Sequence, residues 1–380
     1  MKRAPAAAAA LLVALPLAAC ASPAPVSDLV AAGCPADIRI DTDDLPNVDW
    51  GFLYSLLDRD AVRTTFIGRE VTAPLLVDGE DTGLTLTILS GDPRDGTGGE
   101  VALHEDESIL LAAVDTDQAL LDLVQYPSVG LLAPTARDTR LVFWGATAYP
   151  GVTTIEGLGD TLSPDGMTLV PISGRPGDPW SDVMWGRGTL GEGQVTADSG
   201  DPVAQFLAGN GTEAYVGDLL TDPFRLALPE LSAPDEPPSI RRQLVDDAGY
   251  TRTTLLSARP QAVVRYADCL GVLIPVLQQA LVDYQADPDA TDDLMVDVAA
   301  TFGHPEIDAA LIGAAHEAAE SERIFKFGRN QPTGHIDVGD IRDLLAAIES
   351  AWADLEYDQP DEFAVEKIAT NEFIDRSIGT

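Results

Sequence analysis

Two α/β lobes with mostly parallel sheets, followed by a helical C-terminal region, are the architecture that the sequence predicts. Three observations point there. Short apolar runs alternate with helical segments in two successive blocks, the pattern of layered α/β folds. Setting aside an N-terminal leader leaves about 360 residues, more than one hydrophobic core usually serves. From Thr253 onward the pattern becomes mostly helical.

The leader comes first in the chain. Lys2 and Arg3 precede an apolar, alanine-rich run from Ala6 to Leu17, which is shorter than the ~20 residues of a spanning helix and has the length of a signal-peptide core. It ends in Leu17-Ala18-Ala19-Cys20, the pattern of a bacterial lipobox. Residues 1–19 are therefore expected to be a signal peptide, with cleavage before Cys20 and acylation of its sulfur. An ordinary secretory signal with an incidental Cys20 is the alternative. Two or more acyl chains hold a protein on a membrane stably, and no later stretch reaches the length of a spanning segment. The expected location is the extracellular face of the cell membrane, with a lipid anchor and a tether over residues 20–35.

Beyond the tether, residues 36–135 are assigned to the first part of lobe 1, 136–244 to lobe 2, and 245–380 to the second part of lobe 1. Asp37–Thr42 alternates, with Ile38 and Ile40 on one face, and reads as a strand. Trp50–Leu57 follows as a helix and Gly83–Ser90 as a strand. Ile109–Val114 is a continuous apolar run, as a strand covered on both faces should be. Asp117–Tyr126 is helical, with Thr116 able to cap it; Val129–Ala133 and Thr139–Trp144 are strands. In the second block Met167–Ile172, Gln194–Ala197 and Ala214–Val216 read as strands, Trp180–Trp185 and Pro202–Leu207 as helices, and Ala233–Ser239 as a loop. The helical region comprises Tyr266–Tyr284 with Pro275 inside it, Ala290–Ala300, Glu306–Glu322, Val338–Leu355 capped by Asp337, and Glu362–Phe373.

Charge limits the choice of partners. Sixty-two Asp and Glu face 23 Lys and Arg, for a formal charge of -39. Nucleic acid is excluded, since phosphate binding needs a basic surface. A small anion is disfavoured by the field of the whole protein, and a neutral or cationic ligand suits it better. Charge that merely keeps the protein soluble is the alternative. With Cys20 assigned to the anchor, Cys34 and Cys269 remain, and an oxidising compartment favours a disulfide between them over two buried thiols.

Enzyme signatures are absent. There is no Gly-x-Ser-x-Gly elbow, no phosphate loop ending in Gly-Lys-Ser/Thr, and no dinucleotide turn after the first strand. His104, His304, His316 and His335 are scattered. No catalytic residue, metal site or cofactor is expected. Polar and aromatic residues at strand ends are the candidate ligand contacts, because open α/β sheets bind ligands beyond the carboxyl ends of their strands. They are Asp43, Asn47, Trp50 and Tyr54 after the first strand, Asp115 and Thr116 after the buried one, and Ser173, Trp180, Asp198, Ser199 and Asp218 in lobe 2. Each could equally be a core residue or a helix cap.

The lipobox, Cys34-Pro35-Ala36-Asp37-Ile38-Arg39-Ile40, Thr116-Asp117-Gln118-Ala119, Ala267-Asp268-Cys269-Leu270, Pro275-Val276-Leu277-Gln278-Gln279-Ala280 and Thr370-Asn371-Glu372-Phe373-Ile374-Asp375 together carry a family resemblance. The chain resembles actinobacterial substrate-binding lipoproteins of ABC transporters. Within that class it is similar to the type II periplasmic binding protein superfamily, whose members include nitrate-, sulfonate-, riboflavin- and thiamine-pyrimidine-precursor-binding proteins. It departs from the family in carrying Asp44 and Leu45 after the first strand, where aromatic residues are usual. The resemblance implies a monomer that captures a small-molecule ligand between two lobes and delivers it to a membrane permease. An extracellular enzyme on the same scaffold (a hydrolase or a pyrimidine-synthesis relative) and a structural or signalling lipoprotein are the other readings.

Overall fold

The computed structural model of the chain describes residues 27–42, 44–91, 98–164, 166–174, 178–197, 200–228, 239–351 and 365–380. Twelve strands form two sheets among these residues. They are β1 (Asp37–Asp41), β2 (Arg63–Thr65), β3 (Glu70–Val77), β4 (Glu80–Leu89), β5 (Ile109–Asp115), β6 (Val129–Leu132), β7 (Arg140–Gly145), β8 (Ile172–Gly174), β9 (Val195–Ala197), β10 (Ala214–Asp218), β11 (Ile240–Leu244) and β12 (Thr254–Ala258). The first sheet has the order β2-β3-β4-β1-β5-β12-β6 and the second β11-β7-β10-β8-β9. The two-sheet α/β architecture is the one expected.

Pairing is more mixed than the mostly parallel arrangement expected. β1 runs parallel to β4 and β5, and β8 runs parallel to β10 and β9. β3 against β4, β12 against β5 and β6, and β7 against β10 and β11 are antiparallel. The β3–β4 hairpin explains part of the difference. Val77 pairs with Glu80 across Asp78 and Gly79, whose φ values are 53° and 75°. Two consecutive residues with positive φ make the tight turn that matches strand twist, and Asp-Gly is a preferred pair for it. The other part comes from the chain passing twice between the sheets. It leaves through residues 133–139, between β6 and β7, and returns through 245–253, so that β12 enters the first sheet at the edge where β5 ends and runs antiparallel to it.

Several elements differ from their sequence reading. β2, β3, β11 and β12 are additional strands. Met167–Ile172 is not a strand. Met167 is exposed beside a turn at Gly166, and the strand begins only at Ile172. The helix expected over Asp117–Tyr126 is Thr116–Leu121, with Asp115 rather than Thr116 at its N-cap. Glu362–Phe373 does not form a helix in its described part. After a single 3₁₀ turn at Val365–Lys367 the chain extends beside β6, with the amide of Gly130 donating to Ile368 and that of Thr370 to Gly130. The strand edge offers these backbone groups a partner that a short terminal helix would have to forgo. Val338–Ala351 is helical as expected, with the Gly339 amide donating to Asp337; residues 352–364 and 233–238 lie outside the described residues.

Apolar packing joins the two sheets. One buried cluster contains Ile38, Leu86 and Leu256 of the first sheet together with Leu141, Phe143 and Tyr215 of the second. A second contains Leu120 and Leu255 with Val142, Trp144 and Trp180, and draws in Ile341, Leu344 and Ile348 of the helix Val338–Ala351. That helix packs on Pro179–Gly186, and the helix Ala309–Glu322 packs on Asp222–Leu226. The C-terminal helices therefore touch the second sheet's helices as well as their own. No helix among the described residues is long and apolar enough to cross a membrane.

Cys34 and Cys269 form a disulfide that ties the segment before β1 to the helix Ala267–Ala286, across a sequence separation of 235. Closing so long a loop in the unfolded chain corresponds to about 4–5 kcal/mol in the chain-entropy picture. Cys269→Ser paired with Cys34→Ser is expected to lower the unfolding free energy by that order, and with it the denaturation midpoint in urea. A midpoint unchanged by the double substitution would show that the bridge contributes little.

Candidate functional site

A cleft of about 240 Å³ opens where the carboxyl ends of β1, β5 and β10 face the two crossings. Because β1 and β5 are parallel, their last residues lie on one edge of the first sheet. Thr254, at the start of antiparallel β12, joins them by pairing with Asp115. From the second sheet Asp218 reaches in at the end of β10. The helix start at Gly98-Gly99-Glu100 closes one side, and a Cβ at Gly99 would collide with the Ala113 carbonyl, so glycine is what lets that helix sit against β5. A larger groove of about 780 Å³, among Gln285, His316 and Arg323, lies away from the strand ends.

Six carboxylates line the cleft: Asp44, Asp49, Glu100, Asp115, Asp138 and Asp218. Arg252 is the one cation lining it among the described residues. Its guanidinium grips Asp138 with Nε at 3.0 Å and Nη2 at 2.9 Å, and also pairs with Asp115. Asp138 is buried, yet the Arg252 and Arg140 charges outweigh that burial and hold its carboxyl below the usual range. Arg137 adds a second lacing, to Asp246 at 2.7 Å and Asp247 at 2.5 Å. These pairs link the first crossing to the second, and Arg252 is fully engaged.

The other four carboxylates have no ion-pair partner among the described residues. Asp49 receives no hydrogen bond at Oδ1, an atom out of reach of solvent. Burial, then the charges of Asp218, Asp44 and Asp138, push its carboxyl well above the ordinary value. Asp218 is raised by burial, with Asp138 adding and the hydroxyl of Thr139, which donates to it at 2.6 Å, opposing. Glu100, 4 % exposed, is pushed up to about 7 by burial, with Asp122, Asp115 and Asp117 adding to the shift. Asp44 is pushed up to about 7 by the surrounding protein and by Asp218, but water reaches it directly, so the pH argument below rests on Asp49, Asp218 and Glu100.

The structure brings together part of the expected set. Trp50, Asp115 and Asp218 line the cleft. Trp50 is only 4 % exposed, so most of its ring belongs to the core and an edge remains for the cleft. Asn47 stands behind the wall, its amide donating to Asp44 at 2.6 Å. Tyr54 is buried with its hydroxyl on Ser90. Thr116 is buried at the helix start, its hydroxyl accepting from the Thr253 amide. Ser173 is buried in β8, and Trp180 is fully buried in the cluster under the helix Val338–Ala351. Asp43, Asp198 and Ser199 lie outside the described residues. The sequence reading did not find Asp44, Asp49, Glu100, Asp138, Thr139, Arg252 or Thr254. Asp44 and Asp49 were in view beside Asn47, whereas Arg252 and Asp138 become neighbours only through the two crossings.

A carboxyl raised in the folded state binds protons that the unfolded chain releases, so stability falls as pH rises between the two values. Thermal midpoints are expected to be higher near pH 5.5 than near pH 8, and Glu100→Gln should shrink that difference by raising the midpoint at pH 8. A slope untouched by Glu100→Gln would assign the effect to net charge alone. Asp49→Asn is expected to stabilise the protein by about 1–3 kcal/mol in chemical denaturation, by removing a buried carboxylate charge that has no ion-pair partner among the described residues; destabilisation of that size would contradict this account.

No protein-family model and no curated protein matches the chain. Solved structures do. The ligand-binding component of an ABC-type import system from Staphylococcus aureus, with zinc bound, superposes with a TM-score of 0.53 at 10% identity, over 89% of this chain and 97% of that one. The periplasmic nitrate-binding protein of Synechocystis PCC 6803 gives 0.53 at 12% identity, over 89% and 87%. The alkanesulfonate-binding protein of Xanthomonas axonopodis pv. citri, bound to MOPS, gives 0.51 at 13% identity, over 88% and 98%. At these identities the likeness concerns the fold. The chain has the two-lobed α/β fold of periplasmic binding proteins.

Proposed function

We propose that the protein is the extracellular solute-binding component of an ABC importer, capturing a small organic solute, neutral or cationic, between its lobes and handing it to a membrane permease. The single observation that carries this reading is the cleft between the two sheets, at the carboxyl ends of β1, β5 and β10, in a fold shared with binding components of import systems. Its volume of about 240 Å³ suits a small guest. The reading includes a lipid anchor at Cys20, a monomeric state and the division into lobes at residues 36–135, 136–244 and 245–380, with no covalent chemistry.

Hinge motion about residues 133–139 and 245–253 would close the lobes on the guest, and binding energy would shift the open–closed balance. An enzyme on this scaffold would need a nucleophile and a base in the cleft. The described histidines lie elsewhere, His316 for example on Asp292 at 3.0 Å, and the cleft lining offers carboxyls as bases but no serine, cysteine, lysine or histidine beside them as nucleophile.

The test is a melting-shift screen of the purified protein against vitamins, nucleobases, polyamines, sulfonates and nitrate. A ligand present at a hundred times its Kd stabilises by about 2.7 kcal/mol, so one or a few solutes should raise the midpoint clearly. A flat response across all classes would overturn the proposal, and turnover of any compound would move it to the enzyme reading.

A further inference from the structure

Resting on the solute-binding reading, we infer that the guest is a small organic ammonium ion, seated by Asp49, Asp218 and Glu100. Three observations lead there. The first is charge. Arg252 is consumed by Asp138 and Asp115, which leaves Asp44, Asp49, Asp218 and Glu100 unpaired in a cleft with no free cation among the described residues. An anion would enter against these four groups and against a whole-protein charge of -39, whereas a cation is drawn in by both.

The second observation is the carboxylate oxygen of Asp49, which is shut off from solvent and accepts no hydrogen bond. Buried polar atoms in folded proteins almost always have a partner. Rotation of this carboxyl, which lines the cleft, toward an N–H donor on the guest would supply one, and the guest's positive charge would offset the mutual repulsion of Asp49, Asp44, Asp138 and Asp218. The third observation separates an organic cation from a metal ion. Among the described residues no three Asp, Glu, His or Cys side chains converge closely enough to hold a metal. The acids surround the cleft from both lobes, Asp218 from β10 and Glu100 from the helix beyond Ala113. A guest with extent, carrying ammonium hydrogens toward more than one wall, can answer that spread.

Binding has a proton signature. The groups facing Asp49 are Asp44, Asp138, Asp218 and Tyr284, with Arg252 already engaged; those facing Glu100 are Asp115, Asp117 and Asp122. Each of these two carboxyls holds its proton more tightly than usual. A cation favours the ionised form and expels protons, so its affinity falls as pH is lowered from 8 to 6.

The experiment is titration calorimetry of the purified protein with methylammonium, tetramethylammonium, 1,3-diaminopropane and 1,4-diaminobutane, alongside nitrate, methanesulfonate, a neutral nucleobase, Ca²⁺ and Zn²⁺. Expected are saturable binding of at least one amine, net proton release seen by comparing buffers, and affinity reduced at least tenfold in Asp49→Asn and in Glu100→Gln. Both variants should retain the circular dichroism spectrum and a midpoint at or above that of the parent. Binding of a neutral or anionic solute with the amines silent would overturn the cation assignment and leave solute binding standing. Either metal ion alone, bound more tightly than every amine and weakened by Asp49→Asn, would overturn it in favour of a metal site. Silence from every solute and ion would count against both this inference and the solute-binding reading.

Discussion

A buried guanidinium must be matched by negative charge, and at Arg252 that requirement organises the centre of the molecule. From the returning crossing Arg252 reaches two partners, Asp138 on the outgoing crossing and Asp115 at the end of β5, and so joins three segments. Asp138, with a side chain 3 % exposed, would be an uncompensated charge without it, a condition that costs about 3–5 kcal/mol where a buried pair is broken from one side. The same pairing that fixes the crossings side by side removes the cleft's cation from circulation. The charge of the cleft and the side-by-side path of the two crossings thus share one cause.

Around that centre the lobes are less independent than two bodies on a ribbon. Ile341, Leu344 and Ile348 carry the helix Val338–Ala351 into the apolar cluster of the second sheet, and the helix Ala309–Glu322 meets Asp222–Leu226. Any opening of the cleft must slide or peel these contacts. At about 25 cal/mol per Å² of apolar area exposed, even a modest separation is resisted, so the motion suited to this arrangement is a small rotation about the paired crossings rather than a wide gape.

Sequence periodicity revealed the parts of the fold whose residues repeat locally. Ile38 and Ile40 of β1, the apolar run of β5, and Ile341, Leu344 and Ile348 of Val338–Ala351 are buried as their spacing predicts, whereas Leu345 of that stripe is half-buried. It failed where neighbours decide. The five residues of β12, Thr254–Ala258, are too few to distinguish strand from helix by periodicity, and only pairing with β5 and β6 settles them. The C-terminal segment near Ala369 resembles a helix until β6 captures its backbone. The Asp78-Gly79 turn was legible and would have located β3. In the site, reasoning from strand ends found Asp115 and Asp218 because a carboxyl end is a local property. Arg252 and Asp138 are separated by more than a hundred positions, and their union depends on a chain path that composition does not encode. Trp180 shows the opposite error: an aromatic after a strand end that turns inward to the core.

The bridge between Cys34 and Cys269 has a mechanical side. It sits just before β1, a strand held in the middle of the sheet by β4 and β5. Tension applied at the amino end of the described chain reaches the bridge before it reaches β1 and passes directly into the buried helix Ala267–Ala286. The 235 positions spanned by the link, which include both crossings and the whole cleft, are shunted out of the path of the load. A pull from that end would strain a covalent strut while the cleft stays slack.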